Sequence, residues 1–375
     1  MTKAEKLLRE LVALPSVNPA FLPPGDPRAG ERNVAEFLAS VAAQAGLEVS
    51  FRPVLPSRSN LLVRLSPAGK PRSRVVLAPH LDTVVAEDHQ FSPTNRNGRL
   101  YGRGACDTKG SVAAMLTALC ELANSPKRPS ETEILFVGLI DEENAQAGSR
   151  ALAADGLKAD LAIVGEPTRL QVVTAHKGSL WLRMETHGKA AHGSRPELGH
   201  NAVLDMARIV TLLQTEYARK LARKRHPLLG LATVSVGTIC GGTQPNIVPD
   251  RCSISVDRRT LPGETQAGVC REIRSLLSAA RLKAELTDDK QAPCLPLETD
   301  PRLPLVAKFL RSVGQRRPAG VNYFCDAAVL ASAGIPSVAF GPGDIAQAHT
   351  ADEWISLASL ERGRALLLDF LRSLP

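Results

Sequence analysis

Apolar positions first recur at helical spacing between residues 33 and 45, where Val34, Phe37, Leu38, Val41, Ala42 and Ala45 form one stripe and Gly46 ends it. Beyond this point short apolar runs alternate with helical patterns. Val75 to Ala78 predicts a buried strand, Val112 to Leu122 a helix, Ile134 to Ile140 a second strand and Leu161 to Val164 a third. Such alternation predicts an α/β fold, with a mostly parallel sheet and helices on both faces.

Near residue 172 the pattern changes. Gln171 to Thr186 and Leu231 to Cys240 read as longer strands and Arg251 to Asp257 as a shorter one, with a long charged helix from Asn201 to Lys224 between the first two. This predicts a smaller α+β domain with an at least partly antiparallel sheet. After about residue 292 the first pattern returns, with helices near 303–312 and 326–333, a strand at Ser337 to Phe340 and a closing helix from Leu357 to Leu374. The expected organisation is a discontinuous domain, 1–173 and 292–375, with an inserted domain at 174–291. No internal repeat is present.

In an open parallel sheet, ligands bind outside the carboxyl ends of the strands. His80 and Asp82 follow the strand that ends at Ala78, and Asp141, Glu142 and Glu143 follow the one expected to end at Ile140. Glu166 follows Val164 after one glycine, and His349 lies in the loop after Phe340, behind Gly341-Pro342-Gly343. Asp107 ends a glycine-rich loop, Gly102 to Asp107, just before a helix. Each residue alone is an ordinary capping or loop residue; it is their coincidence at one sheet edge that carries information. Carboxylates crowded together repel one another or hold protons, and a divalent cation removes both problems. Five candidate ligands (His80, Asp107, Glu143, Glu166, His349) exceed the three that a single catalytic zinc takes from protein. Two ions sharing a carboxylate use all five and suit hydrolysis.

Bulk properties narrow the partners. The chain has 375 residues, enough for two domains, with 44% apolar residues and only 4% aromatic ones, too few for a base-stacking platform. Its formal charge of +8 suits an anionic ligand. The run Arg219, Lys220, Arg223, Lys224, Arg225 reads as the solvated end of a helix, so no nucleic-acid partner is expected. No apolar stretch is long enough to span a bilayer, and the mixed-charge start lacks a signal core, which predicts a cytoplasmic protein without a membrane partner. Seven dispersed cysteines without a C-x-x-C pair predict neither disulfides nor a structural zinc. Cys106 reads as a small buried thiol rather than a nucleophile, and Gly104 to Ser111 lacks the residue order of a phosphate loop.

Several motifs together resemble the two-zinc amidohydrolase and peptidase family of acetylornithine deacetylase, succinyl-diaminopimelate desuccinylase, aminoacylase and carboxypeptidase G. They are His80-Leu81-Asp82-Thr83-Val84, Gly102 through Gly110, Asp141-Glu142-Glu143, Gly165-Glu166-Pro167-Thr168, Ala191 to Pro196, Asn246 to Pro249, Asp257 to Gly263, and Gly341 through His349. The resemblance implies that His80, Asp107 and Glu166 hold one ion, that Asp107, Glu143 and His349 hold the other, and that Asp107 bridges. Zinc is the expected metal, with cobalt or manganese compatible. It implies that Asp82 orients His80 by accepting its hydrogen bond, and that Glu142 is the base taking a proton from the water the two metals share and passing it to the leaving amine. A cis peptide at Asp107-Thr108 is also implied.

The same resemblance implies that His192 stabilises the oxyanion in the partner subunit of a homodimer, formed through the inserted domain. Asn246 and Arg259 would hold the substrate, Arg259 forking onto a carboxylate, with Arg258 as the alternative. The implied activity is hydrolysis of an N-acyl amino acid amide. A dipeptidase or glutamate-type carboxypeptidase on a short peptide, and an inactive metal-binding scaffold, are the alternatives. Gly341-Pro342-Gly343 leans toward the acetylornithine deacetylase branch, whereas Phe324-Cys325-Asp326-Ala327 departs from the Thr-Glu-Ala pattern of that branch.

Overall fold

A computed structural model of the chain describes residues 1–289 and 293–375. The chain forms two compact units, one of residues 1–174, 299–319 and 325–375, the other of residues 175–298 and 320–324. The second crossing expected between 291 and 292 lies outside the described residues. The short return through Gly320–Phe324 carries no pattern that marks it in sequence.

The first unit is built on a mixed sheet. Six strands that lie wholly within it run in the order Glu48–Leu55, Arg58–Leu65, Thr132–Gly138, Ser73–Pro79, Leu161–Gly165 and Ser337–Ala339. The last four are mutually parallel, and the first two form an antiparallel hairpin added at the edge. The central strands are apolar on both faces because helices cover both. Helices Lys3–Ala13, Lys109–Ala123 and Leu357–Arg372 pack on one another, and Ala147–Ala154 packs on Ala327–Ser332. Lys109–Ala123 is buried almost all round, as a helix sandwiched between a sheet and further helices must be. Thr2 and Ser356 cap the first and last helices by accepting backbone N–H groups with their hydroxyls.

The second unit has a four-stranded antiparallel sheet ordered Thr233–Gly241, Arg251–Thr260, Gly178–His187, Glu285–Asp288. Burial alternates along Arg251–Thr260, so one face is covered. There Leu182, Met184, Ile254 and Val256 pack with Met206, Ile209, Val269 and Ile273 of helices Ala202–Leu212 and Gln266–Ala279.

Four expectations are corrected. Gln171 to Thr186 is two strands, Val173–His176 and Gly178–His187, because Val173 pairs with Ala339 of the first unit whereas the second stretch pairs with Arg251–Thr260. Arg251–Thr260 is ten residues long and paired on both sides, hence central rather than short. The charged helix after Asn201 passes through a wider π-type turn at Leu213–Tyr217 and stops at Leu221. The strand expected to reach Ile140 ends at Gly138, and Leu139 instead bridges to His80. The edge hairpin and helix Gln266–Ala279 were not legible as elements. Among the described residues, no helix is long and apolar enough to cross a membrane.

Candidate metal centre

Ser73–Pro79 delivers His80 and Asp82 at its carboxyl end, and its parallel neighbour Thr132–Gly138 delivers the turn Asp141-Glu142-Glu143. Ligand atoms of His80, Asp107 and Glu143 all lie within 4.8 Å of one another. His80 Nε2 is 3.1 Å from Asp107 Oδ1, and His349 Nε2 is 3.4 Å from Asp107 Oδ2. The two oxygens of one carboxylate thus face two different imidazoles. His349 Nε2 also lies 3.2 Å from Glu143. Glu166 is buried, and its Oε1 has no hydrogen-bond partner. A buried carboxylate oxygen without a donor is costly unless a cation completes it. The donor set, two imidazoles and three carboxylates, fits divalent cations of the zinc, cobalt or manganese type.

The electrostatics agree. Burial pushes the carboxyls of Glu142 and Glu166 well above the usual range, and that of Glu143 upward, with neighbouring carboxylates adding to the effect. Hydrogen bonds to Asp107 and Glu143 push the His349 imidazole up to about 10. Burial would lower His80, yet the carboxylates of Asp107 and Asp82 overcome it and hold a proton there. Without a cation the cluster keeps protons in its place.

The support is more extensive than sequence suggested. His80 Nδ1 lies 3.0 Å from the backbone carbonyl of Asp82 and 3.5 Å from that residue's carboxylate, so the carbonyl is the nearer acceptor. The Asp82 carboxylate accepts the backbone N–H groups of Glu142 and Glu143, each at 3.1 Å. Glu353, a residue sequence reasoning missed, is buried and accepts the N–H groups of Gly104, Cys106 and Asp107 at 3.0, 2.8 and 3.0 Å, with Arg103 against it at 2.8 Å. The glycine-rich loop is therefore wound around a carboxylate, which aims Asp107. Gly104 has φ +81°, and a Cβ there would come within 2.9 Å of the Lys109 side chain.

Asp141 and His349 occupy the left-handed region at φ 67° and 62°, uncommon for residues with side chains and characteristic of constrained sites. The Asp107-Thr108 peptide is cis. Asp326 is buried, accepts the Ser149 hydroxyl at 2.6 Å, and is pushed up to about 6 by burial. Cys106 donates its thiol to the Asp344 carbonyl, and burial pushes that thiol up, so it is no thiolate nucleophile. Lys109 donates to the Leu14 carbonyl at 2.7 Å, which commits the amine to structure.

His192, Asn246 and Arg259 lie in the second unit. The first two are exposed, and His192 bridges to Ile247 beside Asn246. His192 Nδ1 lies 2.7 Å from the Ser194 hydroxyl and 3.2 Å from the Ser194 backbone nitrogen, which anchors the ring on that side. Arg258 is fully buried and donates to Glu264 and Tyr217, whereas Arg259 is partly exposed and donates to Asp257 at 2.9 Å. The run from Arg219 to Arg225 is solvated, with Lys220 and Lys224 facing Glu272.

A sheet edge carrying clustered imidazoles and carboxylates defines a metal-dependent hydrolase on an α/β frame. The family model described as Peptidase family M20/M25/M40 matches residues 76–373, and the chain belongs to that family. It is a hydrolase acting on carbon–nitrogen bonds. Over 96% of its length it is 32% identical to an acetylornithine deacetylase of Proteus mirabilis, 94% of which is covered. A similar protein of Edwardsiella ictaluri, also described as acetylornithine deacetylase, is 31% identical over 97% of this chain and 96% of its own. Among solved structures, an M20 family metallo-carboxypeptidase, Sso-CP2 of Sulfolobus solfataricus, superposes with a TM-score of 0.78 at 19% identity, covering 99% of each chain. The YXEP protein of Bacillus subtilis, described as a dinuclear metal binding peptidase, superposes with a TM-score of 0.73 at 15% identity over 98% of this chain and 96% of that one. These two likenesses show the fold.

Proposed function

We propose that the protein is a two-metal amidohydrolase that cleaves the amide bond of an N-acyl amino acid, with Glu142 as its base. The observation that carries this reading is the double use of Asp107, whose two oxygens face His80 at 3.1 Å and His349 at 3.4 Å. His80, Asp107 and Glu166 would hold one ion, and Asp107, Glu143 and His349 the other. Two divalent ions, zinc in the first place, would neutralise the carboxylates, polarise the scissile carbonyl and acidify water.

The chain's own groups supply the rest. Glu142 follows Asp141 in a turn pinned by the Asp82 carboxylate, and its raised proton affinity suits a group that receives a proton and returns it to the leaving amine. His192, an exposed imidazole anchored at Nδ1 by Ser194, suits hydrogen-bond donation to an oxyanion. Asn246 and Arg259 would bind the substrate. Arg259 suits its carboxylate better than Arg258, whose guanidinium is fully buried against Glu264 and Tyr217.

The acetylornithine deacetylase relatives support an N-acyl amino acid as substrate. We place the enzyme in the cytoplasm as a homodimer in which His192 serves the partner subunit. Thr233–Gly241 supports the dimer, being a nine-residue edge strand able to pair with a second copy. The test is a panel of N-acetyl and N-succinyl amino acids and dipeptides, assayed with and without chelator. Turnover of an N-acyl amino acid that chelation abolishes and added zinc restores is expected; turnover that survives complete metal removal overturns the reading.

A further inference from the structure

The residue that ties the two halves of this site together lies in the N-terminal segment, before the span that the family model matches. Segment 16–18 runs beside residues 81–83, with Thr83 N–H donating to the Ser16 carbonyl at 3.0 Å and Asn18 N–H to the Thr83 carbonyl at 2.9 Å. This brings Asn18 into the interior, where it is completely buried. Its amide nitrogen lies 2.8 Å from Asp82 Oδ2 and 3.0 Å from Asp141 Oδ1, while its oxygen accepts the Ala20 N–H at 3.0 Å. All three polar positions of the side chain are therefore used, and they orient the amide unambiguously, since the flipped form would press its oxygen against two carboxylates.

Those two carboxylates have a shared task. Asp82 holds the N–H groups of Glu142 and Glu143, and Asp141 begins the same turn in a left-handed conformation. The same Asp141 oxygen that Asn18 meets also accepts Arg58 at 3.0 Å, and the Asp141 N–H donates to Glu31 at 3.2 Å. A neutral amide giving one N–H to each carboxylate is the only uncharged link in the chain Arg58–Asp141–Asn18–Asp82. It holds together two acidic side chains that would otherwise repel.

We propose that Asn18 is a positioning residue for amide cleavage, setting the turn that presents Glu142 and Glu143 by clamping Asp82 to Asp141. This rests on the function proposed above. Support of this kind is worth about 10–100-fold in activity. The experiment measures kcat and KM of the metal-loaded enzyme, on the N-acetyl amino acid the wild type turns over fastest, for Asn18→Ala and Asn18→Asp. Asn18→Ala is expected to lower kcat by about 10–100-fold with KM unchanged, the pattern of a group acting on the transition state rather than on binding. Asn18→Asp preserves shape but adds a third carboxylate between two, and is expected to be slower still. A residue that only fills space predicts the opposite order.

Wild-type kcat in Asn18→Ala, or a faster Asn18→Asp than Asn18→Ala, overturns the proposal. If neither variant folds, Asn18→Ser, which keeps a single donor, carries the test: a reduced kcat with KM unchanged supports the clamp and wild-type kcat overturns it. A wild-type enzyme that cleaves no N-acyl amino acid removes the proposed function and this inference together. Wild-type turnover with indifferent variants removes this inference alone.

Discussion

In the first unit most of the polar side chains of interest are buried or half-buried against one another, with His349 the exposed one, whereas in the second His192, Asn246 and Arg259 stand partly or wholly in solvent. His80, Asp107 and Glu166 are buried, and the carboxyls of Glu142, Glu143 and Glu166 are held above their usual range by that burial. His192 and Asn246 are exposed and Arg259 partly so. The two sets therefore need different completions. Buried like charges demand a counter-charge inside the protein, so the first set is read as a cation site from its own electrostatics. Exposed donors are already satisfied by water, and only a ligand gives them a role.

Replacing the base tests this contrast most severely. Glu142→Ala is expected to lower kcat by about 10²–10⁴-fold while bound metal stays at the wild-type level, checked by steady-state assay beside elemental analysis. A full loss of metal in that variant would make Glu142 a ligand and redraw the cluster.

Arg258→Ala leaves Glu264 without its buried partner and is expected to cost about 3–5 kcal/mol of stability, read by denaturant unfolding. Arg259→Ala is expected to leave stability near wild type but to remove about 1.5–3 kcal/mol of carboxylate binding, which raises KM for substrates carrying a free carboxylate. Equal effects in the two variants would abolish the distinction between buried and exposed cation.

Metal should also stabilise the fold. Ions at about 100 times their Kd are expected to add roughly 2.7 kcal/mol, seen as a melting temperature that rises with added zinc and falls with chelator. No thermal response to either would count against a preformed site.

The smallest effect concerns protons. In the metal-free protein the His349 imidazole is held up at about 10, above its ordinary 6.5, by Asp107 and Glu143. This interaction stabilises the metal-free fold fully below about pH 6.5 and fades as pH rises through about 10. Because a metal takes only the neutral ring, binding at pH 8 is expected to release protons, measured calorimetrically in buffers of different ionisation enthalpy. Binding enthalpies independent of buffer would refute it.

Much of the centre was legible because parallel strands are marked by their own apolar runs, and the residue after each run must emerge at the same sheet edge. That logic reaches His80, Asp82, the 141–143 turn and Glu166 without any contact information. It does not reach Glu353 or Asn18, single polar residues in irregular segments whose partners lie 246 and 64 positions away. No period or spacing encodes such a pairing. The missed break at Lys177 has a similar origin, since the two strands around it follow each other directly and only their different partners divide them.

The α/β alternation, the change of pattern near residue 172 and the residue types at each strand end are written in the chain itself, because they depend on local periodicity and on which side chains can bear charge. Packing brings both oxygens of Asp107 to imidazoles, sets Glu353 against the loop leading to Asp107 and Asn18 between Asp82 and Asp141, and buries Arg258 rather than Arg259. Those are distances between chain segments far apart in sequence, set by how the layers pack.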